Sequence, residues 1–246
     1  IKKTSLEDLY IPGNPSDETN CIGAAYLYNH KIGNVNKPIE SLYLGSMPKN
    51  DPKVIEDARK KYQVIEGPSN SLIIDELNEG KVIGRCIGNM EFGARALGNR
   101  SLLARSDNPE LKERINSMIK NRDFWMPFAP IILDTFSKKY LVNTKNIDSP
   151  YMTIGFDTTK EGRLALKAAL HQSDKTVRAQ ILQKEQNPEL YDFMEEYSKN
   201  TGFGCILNTS FNLHGFPIVT SQNDAYNVFE SSDLDCLWFE NYLIRK

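Results

Sequence analysis

Along most of the chain, amphipathic helical segments alternate with short apolar runs, and this alternation constrains the fold more than any other feature. Asn108-Pro109 and Asn187-Pro188 each begin a helix whose apolar residues recur at helical spacing. Residues 81–87, 204–207 and 236–239 are short runs typical of β-strands, the last two buried. Helices and strands that interleave in this way predict an α/β or α+β domain with one mixed sheet.

Further helices are predicted between these segments. Asp51-Pro52 begins one of them, because proline is harmless in the first helical turn, and Gly80 ends a second. A third covers residues 221–229, and Ser221 and Asp224 give its start a capping-box pattern.

Composition changes near residue 44, which predicts a boundary between two domains. Before it, a turn rich in proline, glycine and asparagine at residues 12–15 precedes residues 22–28, whose small side chains would let a helix pack closely. We therefore expect a short N-terminal piece, residues 1–43, and a larger domain, residues 44–246. The chain does not begin with methionine and has no signal-peptide pattern, so we expect a fragment or a processed piece.

The formal charge is nearly balanced, at −2 from 30 Lys and Arg against 32 Asp and Glu in 246 residues. No global basic excess therefore attracts nucleic acid or an anionic membrane, and any anion site must be local. The longest apolar run, residues 124–133, contains two prolines and falls short of the ~20 residues that span a bilayer. No membrane association is expected.

Four cysteines, at positions 21, 86, 205 and 236, are widely separated and form no C-x-x-C pair. Zinc-knuckle and thioredoxin-like sites are therefore not indicated. We expect buried free thiols, which fit a reducing cytosol and a cytoplasmic location.

The first stretch with chemical content is residues 88–101, directly after a predicted strand. Gly93 lets the backbone approach a ligand, while Arg95 and Arg100 offer forked donors to phosphate or carboxylate oxygens. The alternative is an ordinary turn whose arginines are only solvated.

Three further polar segments extend this candidate anion site. Lys120 and Arg122 end a predicted helix, where they either complement the helix dipole or hold a polyphosphate. Residues 208–212 leave a predicted strand as a loop rich in hydroxyl and amide groups, where α/β proteins usually hold ligands. Arg178 is the candidate in the third segment, whereas a lone histidine such as His171 is more often packed or on the surface than catalytic.

Together these segments predict a positive, amide-lined pocket in a chain without net positive charge. They match none of the commoner nucleotide or hydrolase motifs, since G-x-x-x-x-G-K-[ST], G-x-G-x-x-G, G-x-S-x-G and H-E-x-x-H are absent. A less common fold family is therefore expected.

Four segments, read in order, resemble a known family. They are residues 90–101 (MEFGARALGNRS), Lys120-x-Arg122, residues 127–130 (PFAP) and residues 208–212 (NTSFN). They resemble the C-terminal, YrdC-like domain of carbamoyltransferases of the nodulation-factor and tobramycin type, over residues 44–246. The resemblance implies an α/β (α+β) fold with a YrdC-like twisted mixed sheet and flanking helices.

The resemblance also implies a reaction. That domain is similar to threonylcarbamoyl-adenylate synthases, in which Lys-x-Arg and Ser-x-Asn signatures hold phosphates. Carbamoyl phosphate and ATP, with Mg²⁺ on the ATP, would yield carbamoyl-adenylate, phosphate and pyrophosphate. The implied catalytic residues are Arg95, Lys120, Arg122 and Arg178, and the implied substrate- or ATP-binding residues are Glu91, Gly93, Arg100, His171, Asn208, Ser210 and Asn212.

Residues 12–17 and 23–25 resemble the end of the family's other domain, which has a sugar-kinase/actin-like fold. There an aspartate at the place of Asp17 joins two histidines of an H-x-x-x-H motif in binding a transition metal (Fe, Zn or Mn), and the acyl group passes to an acceptor hydroxyl. This chain has three histidines and no H-x-x-x-H. The resemblance therefore implies that the N-terminal half of the enzyme lies on missing sequence or on a second chain, in a heteromeric complex.

The acceptor implied by the resemblance is a hydroxyl of a sugar or an antibiotic, with a hydroxymethylated pyrimidine in nucleotides or DNA as a further possibility. Two other interpretations stay open. A YrdC-like RNA or nucleic-acid binding module would bind with strong salt dependence and release no pyrophosphate, although the net charge argues against it. An inactive regulatory subunit would fold correctly and fail to bind nucleotide.

Overall fold

A computed structural model describes Ser5, residues 9–120 and residues 126–246, and its central feature is an eight-stranded mixed sheet. The strands, in chain order, are β1 (Gln63–Glu66), β2 (Ile83–Cys86), β3 (Arg100–Ala104), β4 (Ala129–Leu133), β5 (Leu141–Val142), β6 (Asp157–Thr158), β7 (Gln180–Leu182), β8 (Cys205–Ser210), β9 (Cys236–Phe239) and β10 (Tyr242–Arg245). The large sheet has the order β1-β10-β9-β2-β3-β8-β4-β7, and β5 pairs with β6 separately.

The helices of the described residues connect these strands. They are α1 (Asn20–Lys31), α2 (Pro52–Arg59), α3 (Asn70–Asn78), α4 (Glu110–Ile115), α5 (Asp134–Tyr140), α6 (Lys160–Ala165), α7 (Pro188–Thr201) and α8 (Gln222–Glu230). A 3₁₀ turn at Asp17–Thr19 precedes α1, and a π-helical turn at Asn116–Lys120 follows α4. The predicted mixed α/β architecture is confirmed.

Helices cover both faces of the large sheet, which explains why strands such as β4 and β9 are apolar along their whole length. In β8, Cys205 and Leu207 pack into one hydrophobic cluster and Ile206 into the other, and all three are fully buried. The first cluster receives residues of α2, α4, α6 and α8, whereas the second receives α3 and α7. A strand buried on both faces loses the apolar–polar alternation of a half-exposed strand.

The predicted helix starts are confirmed by their caps. The side chains of Asp51, Asn187 and Ser221 each accept a backbone N–H of the following turn. Ser221 and Asp224 form both hydrogen bonds of a capping box. Gly202 ends α7 with a φ of 78°, in the left-handed region that glycine adopts without strain.

Other segments differ from the sequence-based expectation. The helix predicted from Asn108-Pro109 is α-helical only over α4 and then widens into the π-helical turn. The sequence patterns do not predict the other seven strands of the described residues, β1, β3, β4, β5, β6, β7 and β10. In β4 the reason is Pro130, which lacks an N–H and normally argues against an interior strand, yet pairs with Leu207 of β8. In β3 the reason is that the strand begins with two polar residues, Arg100 and Ser101, which are both buried.

The expectation that residues 22–28 pack closely is wrong for the described part of the chain. Helix α1 has no buried residue, and Leu27 and Tyr28 are 70% and 66% exposed. The residues after it behave differently, since Leu42 is buried and its carbonyl accepts the N–H of Phe92 at 2.7 Å. Among the described helices, none is both long and apolar enough to cross a bilayer.

The cysteines provide a test of this packing. Cys86, Cys205 and Cys236 are buried, as expected, but Cys21 on α1 is exposed. Burial raises the pKa of Cys86 to about 11 and that of Cys205 to about 12, and it raises the pKa of Cys236 further. Because the thiolate is the reactive form, only Cys21 should react with a maleimide at pH 7.5 in the native protein. Mass spectrometry should show one adduct, and four in denaturant; rapid labelling of a buried cysteine in native protein would contradict this packing.

Candidate active site at one edge of the sheet

The strand register brings the predicted polar segments to the same edge of the large sheet. Residues 87–99, here called the site loop, connect the end of β2 to the start of β3. Ser101 in β3 pairs with Ser210 at the end of β8, and Ala129 at the start of β4 pairs with Asn208. Strand β7 begins beside β4, in parallel with it. The site loop, the segment before β4, the segment before β7 and the end of β8 therefore meet at this edge.

Lys120, Ser210 and Asn212 form the centre of this edge, and we call them the Lys120 cluster. The Lys120 ammonium donates to Ser210 Oγ at 3.1 Å and to Asn212 at 2.7 Å (Oδ1) and 3.1 Å (backbone O). Ser210 Oγ in turn donates to Asn212 Oδ1 at 2.7 Å. Lys120 is only 1% exposed. The structure thus brings the predicted lysine directly onto the predicted Ser-x-Asn residues.

The π-helical turn carries Lys120 to this position. Extra residues in a π-turn widen a helix locally, and such turns recur at functional sites. The next residue of the predicted pair, Arg122, lies outside the described residues. Beyond the cluster, the N–H of His214 donates to the carbonyl of Ile119 at 3.3 Å, which joins the loop after β8 to this turn.

Glu91 shapes the site loop from within. Its Oε1 accepts the backbone N–H groups of Leu97 at 2.7 Å, Asn99 at 2.8 Å and Arg100 at 3.2 Å. The side chain is buried, with 7% exposed. A carboxylate that collects three amides holds the loop in one conformation, so the contacts of Glu91 in this structure are to the loop itself.

The Arg100 side chain is held in place by hydrogen bonds to backbone carbonyls in and near the site loop. Its Nη1 donates to the carbonyls of Ile87 at 3.0 Å and Gly88 at 3.1 Å, and its Nη2 to that of Ser46 at 3.3 Å. Arg100 is fully buried, whereas Arg95 at the tip of the loop is exposed. Of the two arginines predicted to bind an anion, Arg95 is therefore the one that solvent reaches.

A buried polar network, which the sequence patterns did not reveal, supports the loop from below. Arg85 donates to Gly98 O at 2.9 Å, Asn99 Oδ1 at 2.8 Å and Glu189 Oε1 at 2.8 Å, and its guanidinium lies 5.0 Å from the ring centre of Trp238. Burial lowers the pKa of Arg85, and the Glu189 carboxylate opposes this effect. The only sequence signal was an arginine inside an apolar strand.

One hydroxyl and two amide side chains complete this support. Tyr43 donates its hydroxyl to Leu97 O at 2.7 Å, and Gln180 donates to the same oxygen at 3.2 Å. Burial raises the pKa of the Tyr43 phenol well above its usual value, so it remains a donor at neutral pH. Asn208, predicted to bind ligand, donates Nδ2 to Ala96 O at 2.9 Å and so ties β8 to the loop.

The glycine of the predicted motif has a packing reason for its identity. Gly93 has a φ of 99°, and a Cβ there would lie 3.0 Å from the Cβ of Asn14. The site loop therefore rests closely against the N-terminal segment at this point. The close backbone approach that Gly93 allows is therefore an approach to Asn14.

His171 and Arg178 lie on the segment that leads into β7. His171 Nδ1 lies 3.1 Å from Asp174 Oδ1, and the latter also accepts the N–H of Thr176 at 3.0 Å, which closes a turn. Arg178 is exposed and precedes β7 by two residues, at the edge that holds the Lys120 cluster. The topology thus places Arg178 at the same edge of the sheet as the end of β8, while His171 belongs to a turn seven residues earlier in the chain.

Asp17 stands apart from this edge, exposed on the 3₁₀ turn before α1. Within residues 9–120 and 126–246, no three His, Cys, Asp or Glu side chains are grouped so that they could hold a metal ion. The described residues thus supply fewer than three such ligands to a transition metal there.

The role of Glu91 can be tested by its removal. Glu91→Ala should lower the free energy of unfolding by about 2–4 kcal/mol, because three buried N–H donors lose a charged acceptor. Glu91→Gln keeps an accepting oxygen and should cost less. Urea unfolding measures both, with Glu79→Ala as control, since Glu79 is 64% exposed and pairs only with Lys81. Equal stability of the Glu91→Ala and Glu79→Ala variants would contradict the role.

The described residues form a mixed α/β domain, and one edge of its sheet carries a buried lysine beside a hydroxyl and an amide side chain. The family described as carbamoyltransferase C-terminus matches residues 74–246, and the chain belongs to this family. The resemblance stated from the motifs is therefore confirmed.

The chain is also similar in sequence to several longer proteins. An uncharacterized protein of Methanocaldococcus jannaschii, MJ1051, is 38% identical over 97% of this chain and 47% of its own length. Nodulation protein NolNO of Sinorhizobium fredii is 31% identical over 100% of this chain and 37% of its own length, and nodulation protein U of Rhizobium tropici is 31% identical over 100% and 41%. The chain thus spans less than half of the length of these relatives.

A solved structure shows the same fold. Full-length HypF, in a phosphate- and nucleotide-bound form, superposes with a TM-score of 0.51 over 70% of this chain and 25% of that chain. The sequence identity is 17%. This likeness concerns the fold alone.

Proposed function

We propose that this chain forms carbamoyl-adenylate from carbamoyl phosphate and ATP, for transfer to an acceptor hydroxyl. The observation that carries the proposal is the Lys120 cluster, a buried ammonium hydrogen-bonded to Ser210 and Asn212 at the edge where Arg95 and Arg178 also lie. The positive charge of Lys120 at the strand ends, together with the exposed guanidinium groups of Arg95 and Arg178, suits the oxygens of a polyphosphate.

The proposed reaction has two steps. Water cleaves carbamoyl phosphate into carbamate and inorganic phosphate. A carbamate oxygen then attacks the α-phosphorus of ATP, forming a new P–O bond while the bond to the bridging oxygen of the β-phosphate breaks and pyrophosphate leaves. The ammonium of Lys120 and the guanidinium groups of Arg95, Arg122 and Arg178 stabilise the negative charge that shifts onto the leaving group, and Mg²⁺ accompanies the ATP.

The family supports carbamoyl transfer, and the HypF structure, which shares this fold, is in a phosphate- and nucleotide-bound form. We propose the same ligand classes here. The acceptor is proposed to be a hydroxyl of a sugar or an antibiotic, or of a hydroxymethylated pyrimidine.

Replacement of the cations tests the adenylate step. Lys120→Met, Arg95→Ala and Arg122→Ala should each lower carbamoyl-phosphate-dependent pyrophosphate release from ATP by about 10- to 100-fold, because each removes a charge-assisted contact of ~1.5–3 kcal/mol. Lys184→Ala is the matched control, since Lys184 pairs with Asp192 beyond the far end of β7.

Thermal unfolding should confirm that each variant is folded. Full activity in all three variants would contradict the assignment. Salt-dependent RNA binding by a protein that releases no pyrophosphate would favour the nucleic-acid interpretation instead.

We further propose that residues 1–43 belong to a second domain of the sugar-kinase/actin-like type, which carries out the transfer to the acceptor. Helix α1 supports this, because its apolar residues Leu27 and Tyr28 are exposed. Asp17 would contribute one ligand to a transition metal whose remaining ligands come from other residues of that domain.

This division predicts what the 246-residue chain does by itself. It should transfer no carbamoyl group to a hydroxyl acceptor and should hold no stoichiometric Fe, Zn or Mn, because one carboxylate is too few ligands for a stable site. Elemental analysis of the purified chain after brief chelation measures this. One equivalent of bound transition metal that is lost in Asp17→Ala would contradict the division.

A further inference from the structure

Phe216 is an aromatic side chain in solvent next to the Lys120 cluster. It is 65% exposed, and from residue 48 onward no other aromatic side chain of the described residues is exposed to this extent. A single exposed ring is ordinary on a protein surface and by itself indicates nothing. What distinguishes Phe216 is how its backbone is held.

The loop that carries Phe216 is fixed by hydrogen bonds at several points. Asn212 Nδ2 donates to the carbonyls of Leu213 and Phe216, both at 2.8 Å. The N–H of Phe216 donates to Leu213 O at 3.1 Å, and Gly215 makes the reversal with a φ of 77°. One amide side chain thus closes the loop into a tight turn with the ring on its outer side.

The same amide connects this turn to the buried ammonium. Asn212 Oδ1 accepts from Lys120 at 2.7 Å while its Nδ2 holds the carbonyl of Phe216. On the other side, the N–H of His214 donates to Ile119 O, next to Lys120 in the chain. The backbone of the turn that carries Phe216 is therefore tied to Lys120 and its neighbour Ile119 by contacts on both sides of the turn.

We propose that Phe216 binds the adenine base of ATP by stacking, while the Lys120 cluster binds the phosphates. A nucleotide is a polyanion joined to a flat π-system, and an exposed ring on a turn that is hydrogen-bonded to the Lys120 cluster matches both parts. Aromatic side chains stack on bases in this way in many nucleic-acid-binding proteins. The assignment rests on the proposed use of ATP at this edge and adds the residue that holds the base.

Comparison of two ligands tests the stacking contact. In calorimetric titrations of the purified protein, Phe216→Ala should weaken binding of Mg-ATP by about 5- to 100-fold, the range of ~1–3 kcal/mol for one base on an aromatic ring. Binding of Mg-tripolyphosphate, which lacks a base, should stay within twofold of wild type. Phe216→Trp should keep ATP affinity, and ATP should quench the fluorescence of the new indole while tripolyphosphate does not.

Leu164→Ala is the matched control, because Leu164 is an apolar side chain of similar exposure, 63%, on α6. It should bind both ligands as wild type does. Equal loss of ATP and tripolyphosphate binding in Phe216→Ala would show a structural role and overturn stacking, and unchanged ATP binding would overturn it as well. If the wild-type protein binds neither ATP nor tripolyphosphate, the proposed adenylate function and the stacking are both contradicted. If it binds both ligands and Phe216→Ala gives either result above, only the stacking is contradicted.

Discussion

The carboxylate of Glu91 is the contact on which the geometry of the site depends. The site loop carries backbone groups that no neighbouring strand pairs, and each unpaired buried group would cost about 1–3 kcal/mol. Glu91 accepts hydrogen bonds from three backbone N–H groups of this region, and Arg100 donates to three backbone carbonyls in and beside the loop. Because two opposite charges inside the fold satisfy the loop, Arg95 is left on its outer side, where a ligand can reach it.

The Lys120 cluster stabilises a buried positive charge. Removing an ammonium from water is costly unless oxygens replace its hydration shell. Ser210 and Asn212 supply three of these oxygens from the end of β8, so the lysine is positioned by the sheet and not by its own flexible stem. Such preorganisation lets a cation act on developing charge without rearranging during the reaction.

Much of this arrangement was predictable from the sequence, for physical reasons. Helices α2, α7 and α8 are determined by local capping at Asp51, Asn187 and Ser221, and β9 and the first half of β8 by apolar runs. A shared pocket was expected from the chemistry of these segments, but the pairing of Lys120 with Ser210 and Asn212 was implied by the family resemblance, because pairs about 90 residues apart leave no local pattern. The roles of the two buried arginines, Arg85 and Arg100, could not be predicted, since their partners are mostly backbone carbonyls and distant side chains.

The contacts of the N-terminal segment link the proposed second domain to the site. Leu42 O accepts from Phe92, Tyr43 donates to Leu97 O, and Asn14 packs against Gly93. All three partners belong to the site loop that presents Arg95. A boundary at residue 43 therefore separates the two regions in sequence but not in hydrogen bonding. Displacement of the N-terminal segment would break buried donor–acceptor pairs under the loop, so the position of one region and the shape of the other are energetically coupled.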